Sequence, residues 1–321
     1  MKRGTKIILG TIAVVVAAAL ILGALFFFRR RNAESDASSI QILREQPESV
    51  TLLTDIQYQE TEVDHCYLDV AFRDDGAAKP LLVLVHGGSW TSGAKEEMNA
   101  LLYTFSSLGY TVASVDYDLL DFTTALQGDC VSIADEEACV AAAVDYLAQH
   151  AGEYQIDTGR VVLLGHSAGG QLVGRLAERI ADHPEDYAFQ LDGVVLLAAP
   201  SDFRYYLYNN IQIDDFGFSL VQVSFIFDGV YGSDVIPEIN KVDILHNVTE
   251  NLPPVLILQG SDDTVVPVSL SQNLYDALEA IGVTAELTVI PGAGHIIIEN
   301  ETVFSEINRF LEQYILDSGG E

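Results

Sequence analysis

Residues 161–180 read VVLLGHSAGGQLVGRLAERI: an uncharged apolar run that passes without a break into a stretch of helix-forming character. At the junction, Gly165-His166-Ser167-Ala168-Gly169 matches G-x-S-x-G. A strand that turns this abruptly into a helix holds its central serine in strained backbone geometry at the carboxyl edge of a sheet, and it admits only small residues on either side. The pattern alone also fits an ordinary Gly-rich turn. The strand before it and the helix after it are the context that a nucleophile elbow requires.

Working outward, short apolar runs alternate with helical patterns. Strands are expected at 51–58, 66–72, 81–86, 111–117, 161–166, 193–199, 255–259 and 285–290, and helices near 95–108, 131–150, 168–182, 268–281 and 302–316. Apolar runs without polar alternation suit strands buried on both faces, so the pattern implies an α/β fold with a mostly parallel eight-stranded sheet and helices on both sides. The first two strands are joined too tightly for crossover helices and should form an antiparallel edge. The stretch 203–240 breaks the rhythm with eight Tyr and Phe residues between Tyr205 and Tyr231 and reads as a cap insertion over the sheet's carboxyl edge.

A serine hydroxyl needs a base, and the base needs an orienting carboxylate. After an elbow these should follow in the order Asp or Glu, then His, each behind a late strand. Residues 255–267, VLILQGSDDTVVP, put Asp262 and Asp263 in the turn after one strand, and 285–295, AELTVIPGAGH, put His295 after the next. Taken singly, the aspartates suit a solvated turn or helix cap and His295 a surface loop. Order and position together favour a triad. The oxyanion of acyl transfer would take the backbone N–H of Ala168 and donors from the loop His86-Gly87-Gly88-Ser89-Trp90, where glycines let backbone approach a substrate. His86 and His166 have no place in this order and read as structural supports.

Together HGGSW at 86–90, VDYDL at 115–119, GHSAGG at 165–170, GSDDTVVP at 260–267 and PGAGH at 291–295 resemble the α/β-hydrolases of the carboxylesterase, feruloyl-esterase-like and arylformamidase group, related to the hormone-sensitive-lipase type. The resemblance spans about residues 50–316. It implies an α/β-hydrolase fold with Ser167 as nucleophile, His295 as base and then acid, and Asp263 as the orienting carboxylate, with Asp262 as the fallback. It also implies Gly88, Ser89 and Ala168 as oxyanion donors. Ser89-Trp90 stands where hormone-sensitive-lipase relatives carry a third glycine, which favours the feruloyl-esterase and formamidase branch. The segment 116–139 lacks the proline-rich stretch common after that strand in the family it resembles. Trp90, Tyr205 and Tyr206 are the candidate substrate contacts, because apolar walls with few polar groups describe most ligand sites.

Composition narrows the partners. The 321 residues are 49% hydrophobic, enough for a large core, and carry 47 acidic against 16 basic residues for a net charge of -31. Such a body repels phosphate backbones, which excludes nucleic acid, and disfavours anionic substrates, leaving a neutral, partly apolar ester. Scattered histidines and the lack of H-e-x-x-H or paired-Cys spacing argue against a metal, and no glycine-rich cradle for a nucleotide cofactor follows the first strand. Residues 7–28 are uncharged and apolar over 22 positions, long enough to cross a hydrocarbon core of about 30 Å. The run exceeds a signal-peptide core and ends in Phe26-Phe27-Phe28 and three arginines. Residues 1–31 are therefore expected to be a single-pass anchor, 32–49 a linker, and 50–321 the catalytic domain. Flanking charges balance, while the Lys/Arg poverty of the body and the spacing of Cys130 and Cys139 lean toward an extracytoplasmic domain. Cys66 would then be left over, and two free buried cysteines are the alternative.

Overall fold

The computed structural model describes residues 40–59, 66–121, 131–208 and 235–316. The expected anchor at 7–28, Cys130 and most of the cap insertion lie outside the described residues. No helix among the described residues is long and apolar enough to cross a membrane.

Eight strands build one sheet: β1 (Thr51–Gln57), β2 (Tyr67–Phe72), β3 (Lys79–Val85), β4 (Thr111–Val115), β5 (Ile156–His166), β6 (Leu191–Leu197), β7 (Val255–Gly260) and β8 (Ala285–Ile290), in the order β1-β2-β4-β3-β5-β6-β7-β8. β2 runs antiparallel to both β1 and β4, and every other pair is parallel. The helices are α1 (Asn99–Leu108), α2 (Ile133–Gln149), α3 (Ala168–Asp182), α4 (Phe203–Tyr208), α5 (Val235–Val242), α6 (Val268–Ala280) and α7 (Glu301–Leu311), the last continuing into a π turn over Glu312–Leu316. This is the α/β-hydrolase fold.

Strand alternation explains the apolar runs. In β3, Leu81, Val83 and Val85 share a core with Val140, Ala143 and Val144 of α2, Leu172, Val173 and Leu176 of α3, and Leu274 and Leu278 of α6. Leu82 and Leu84 are equally buried and point to the opposite face, which suits a central strand covered on both sides. On α1 and α7, Phe105 and Phe304 stack with ring centroids 6.1 Å apart. Each such side chain contributes roughly 1.5–3 kcal/mol by leaving water.

The antiparallel edge is held by charge as well. The ammonium of Lys95, only 4% exposed, lies 3.0 Å from Asp55, 3.5 Å from Asp69 and 2.6 Å from Glu96. Asp55 sits at a bulge in β1 with φ 54°, and its N–H donates to the Asp69 carboxylate. Part of the segment expected to be linker lies on the body: Leu43 N–H donates to Thr104 Oγ1 of α1, and Arg44 pairs with Glu299.

Candidate active site

β5 enters the elbow with Ser167 at φ 53°, ψ -120°, a strained conformation held by the Ser167 N–H bond to the Leu197 carbonyl of β6. Both flanking glycines are obligatory here. A Cβ on Gly165 would stand 2.2 Å from the Gly169 carbonyl oxygen, and one on Gly169 would stand 2.2 Å from that of His86. The sequence turns this way because only Gly fits on either side of the serine.

Ser167, His295 and Asp263 come together from three loops at the carboxyl edge. His295 Nε2 lies 2.9 Å from Ser167 Oγ, and His295 Nδ1 lies 2.8 Å from Asp263 Oδ2. The carboxylate can only accept, so Nδ1 carries the proton and Nε2 is free to accept from the serine hydroxyl. Asp262 is exposed, and its carboxylate accepts from the neighbouring Ser261 hydroxyl.

The Asp263 side chain is fully buried, and four donors fill it. Oδ1 accepts from Val265 N and Val266 N, both at 2.8 Å, while Oδ2 takes Gln259 Nε2 at 2.7 Å besides His295. Burial works to raise this carboxyl. The bonds from His295 and from the Val266 and Val265 amides outweigh it and hold the group below its ordinary range, so it stays ionised. Gln259 is itself oriented by Ser271, whose hydroxyl donates to Oε1 at 2.7 Å.

His166 supports the site without joining it. Burial pushes its ring down to about 4, against a smaller opposing effect of its bond to His295, so the imidazole is neutral. Its Nε2 lies 3.1 Å from the His295 backbone carbonyl and must therefore donate to it. His86 stacks on Tyr117 with centroids 4.5 Å apart, and the Tyr117 hydroxyl donates to the His86 carbonyl.

The loop after β3 is tightly wound. Gly88, Ser89 and Trp90 all have positive φ, and the Gly88 carbonyl accepts from Thr91 N and Ser92 N at 3.1 Å. Ala168 is the first residue of α3, where a backbone N–H has no partner inside the helix. The N–H groups of Gly88, Ser89 and Ala168 are the three that the family resemblance implies as oxyanion donors.

Trp90 is 3% exposed and belongs to the core. Its indole N–H donates to Gln171 Oε1 at 3.0 Å, and its ring packs on Phe203 at 5.3 Å. The side chain expected to contact substrate is thus packed behind the β3 loop, with a long-range partner, Gln171, at its polar edge. Tyr205 is half-buried against Val266 and Leu270, beside the Asp263 turn. Tyr206 lies in α4, and its side chain is outside the described residues.

Gln259, Gln171 and Ser271 were not singled out from sequence. The available signal was a glutamine inside an otherwise apolar strand (VLILQG) and another in an apolar helix face. Among the described residues two groups of metal-ligating side chains also converge, Cys66-Asp118-Cys139 and Asp202-Asp243-His246. Neither contains Ser167, Asp263 or His295, and their members come from segments whose spacing in sequence gives no such sign.

Comparison with known proteins places the chain. The isoprenylcysteine alpha-carbonyl methylesterase ICME of Arabidopsis thaliana is 25% identical over 229 residues, 68% of this chain and 50% of that protein. Esterase LipC of Mycobacterium tuberculosis is 28% identical over 250 residues, 71% of this chain and 56% of its own. The chain thus spans about half the length of the curated relatives it matches. Inhibited esterase B from Lactobacillus rhamnosis superposes with a TM-score of 0.68 at 20% identity, covering 93% of this chain and 96% of that one. A truncated carbohydrate esterase from gut microbiota gives 0.68 at 18%, covering 84% and 98%. The BD-FAE family model matches residues 68–278, and the chain belongs to this carboxylesterase-like family of α/β-hydrolases.

Proposed function

We propose that the chain is a serine carboxylesterase that cleaves neutral, partly apolar esters through an acyl-enzyme. The observation that carries this reading is the hydrogen-bonded series Ser167 Oγ, His295 Nε2, His295 Nδ1, Asp263 Oδ2, with steps of 2.9 and 2.8 Å. In the forward step Ser167 Oγ attacks the ester carbonyl carbon as its proton passes to His295 Nε2, and ionised Asp263 stabilises the imidazolium. The N–H groups of Gly88, Ser89 and Ala168 receive the oxyanion. Collapse expels the alcohol, which takes the proton from His295. Water then repeats the sequence on the acyl-enzyme and releases the acid. The names of the relatives, methylesterases among them, support ester cleavage.

The test is hydrolysis of short and medium p-nitrophenyl esters by the full chain in detergent, beside Ser167→Ala and with fluorophosphonate labelling. Activity and labelling should both vanish in the variant, with kcat/KM down at least about 10⁴-fold. A folded chain with neither turnover nor labelling would instead favour a silent binding module. Amide cleavage is a second reading that uses the same residues, supported by 26% identity to the acylamino-acid-releasing enzyme of Mus musculus. Parallel ester and anilide substrates separate the two.

The same proposal includes a membrane tether at residues 7–28 with the body outside the cytoplasm. The tether is supported by 22 consecutive uncharged apolar residues, and the side by the Lys/Arg poverty of the body, since the flanking charges balance. The chain should stay with membranes through carbonate extraction, and protease added outside intact cells should remove the body.

A further inference from the structure

The cysteine nearest to Cys139 in sequence is Cys130, outside the described residues; among the described residues the thiol beside Cys139 is that of Cys66, which immediately precedes β2. The two Sγ atoms and a carboxylate oxygen of Asp118 all lie within 4.8 Å of one another. Both cysteines are thiols buried in one core cluster, with Cys139 on α2 and Cys66 on the antiparallel edge. The chain holds three cysteines in 321 residues, and folding brings two of them side by side from positions 66 and 139.

We propose that Cys66 and Cys139 are the disulfide-forming pair of this protein, a staple between the antiparallel edge and α2, with Cys130 remaining a thiol. The sulfurs lie within 4.8 Å of each other, and a bond between them needs S–S contact at about 2 Å with the usual right-angled Cβ–S–S–Cβ geometry. A closed structural zinc site takes four protein ligands, and among the described residues the group around Cys66 supplies three donors.

With glutathione disulfide as oxidant, one cysteine thiolate attacks it and forms a mixed disulfide, releasing one glutathione. The second cysteine thiolate then attacks the protein-side sulfur and releases another. Two protein thiols are oxidised and one glutathione disulfide is reduced to two thiols, so electrons and protons balance. Contact with Cys66 and burial both raise the Cys139 thiol, which leaves little thiolate in the folded state. The bond should accordingly close during folding and then resist reductant.

The experiment is to refold the full chain in detergent with a glutathione redox couple, quench with acid, and alkylate with N-ethylmaleimide in denaturant without reductant. The expected product carries one adduct, on Cys130, and its digest contains a peptide linking 66 to 139. Cys130→Ser should still form the link, and its Tm should fall by roughly 7 °C on reduction, as expected for a closed loop of about 70 residues in a domain this size. Cys66→Ser should show no such redox-dependent shift. Three adducts after refolding, a link that includes Cys130, or zinc released in equal amount with all three thiols free would each overturn the proposal. Refolding in vitro does not depend on which side of the membrane the body faces, and thiol counting does not depend on esterase activity.

Discussion

Changing Asp263 to asparagine tests the centre of the proposed mechanism. Four donors converge on this carboxylate, two on each oxygen. Asparagine has one acceptor oxygen, so one pair of donors must face its NH₂. If the oxygen stays with Val265 and Val266, the NH₂ meets Gln259 and His295. His295 can then accept only by moving its proton to Nε2, which aims N–H at Ser167 and removes the base. The loss in kcat should be on the order of 10³–10⁴-fold, about 4–5.5 kcal/mol of transition-state stabilisation. Gln259 Nε2 loses a buried acceptor, costing about 1–3 kcal/mol and roughly 2–5 °C in Tm. Asp262→Asn is the control: its exposed carboxylate accepts from Ser261, and kcat/KM should stay within about threefold. Kinetics on p-nitrophenyl acetate with parallel thermal melts separate catalysis from stability. If Asp263→Asn kept more than a tenth of kcat, or Asp262→Asn lost as much, the assignment of the orienting carboxylate would be refuted.

Gly169→Ala puts a Cβ against the His86 and Val85 carbonyls at 2.2 and 2.3 Å, and should abolish soluble protein or cut activity at least about 100-fold, whereas Gly152→Ala, with nothing within 4 Å, should be neutral in expression and rate. Trp90→Phe strands the buried Gln171 Oε1 and should cost about 1–3 kcal/mol in urea unfolding, with KM and chain-length preference unchanged; a large KM change at constant stability would return Trp90 to the pocket. Asp243 is pushed up to about 6 by burial and by the facing Asp202. A raised folded value means that its stabilising contribution is full below the unfolded carboxylate range and is lost as pH rises toward 6. Between pH 4.5 and 7.5 the wild type should therefore lose about 2 kcal/mol more than Asp243→Asn. The asparagine can still accept from Phe203 N and donate to His246 Nδ1, the two partners of the carboxylate. Equal pH slopes in urea titrations would defeat this account.

Most of strands β3 to β7 was legible because burial on both faces leaves runs such as LLVLV and VLILQ with no polar break. The start of β5 was not: Asp157-Thr158-Gly159-Arg160 reads as a turn, yet Ile156 and Asp157 pair with Lys79 and Pro80 before the register shifts. The elbow was legible because its glycines answer to local sterics. Choosing Asp263 over Asp262 needed the resemblance, since two adjacent aspartates are alike in composition and differ only in which one faces the Val265 and Val266 amides. The surroundings of Trp90 and Cys139 were illegible for one reason. Their partners, Gln171 and Cys66, lie 81 and 73 positions away, and the pairing of distant side chains leaves no trace in local pattern.

The precision of the site comes from backbone pressed on backbone. A Cβ on Gly87 would stand 3.0 Å from Ser167 Cβ and 2.9 Å from His166 Nδ1, and one on Gly169 would meet the end of β3. Gly87 has no side chain to hold the elbow away from the loop proposed to hold the oxyanion, so the two backbones approach closely and their spacing is fixed by that contact. His166 extends this coupling to the third loop. One ring edge lies against Gly87, and the other donates to the His295 carbonyl. A charged imidazole would need solvation that this packing denies, and burial keeps the ring neutral down to about pH 4. The histidine between the elbow glycine and the serine therefore acts as a neutral strut, fixing where the His295 loop sits relative to the serine it serves.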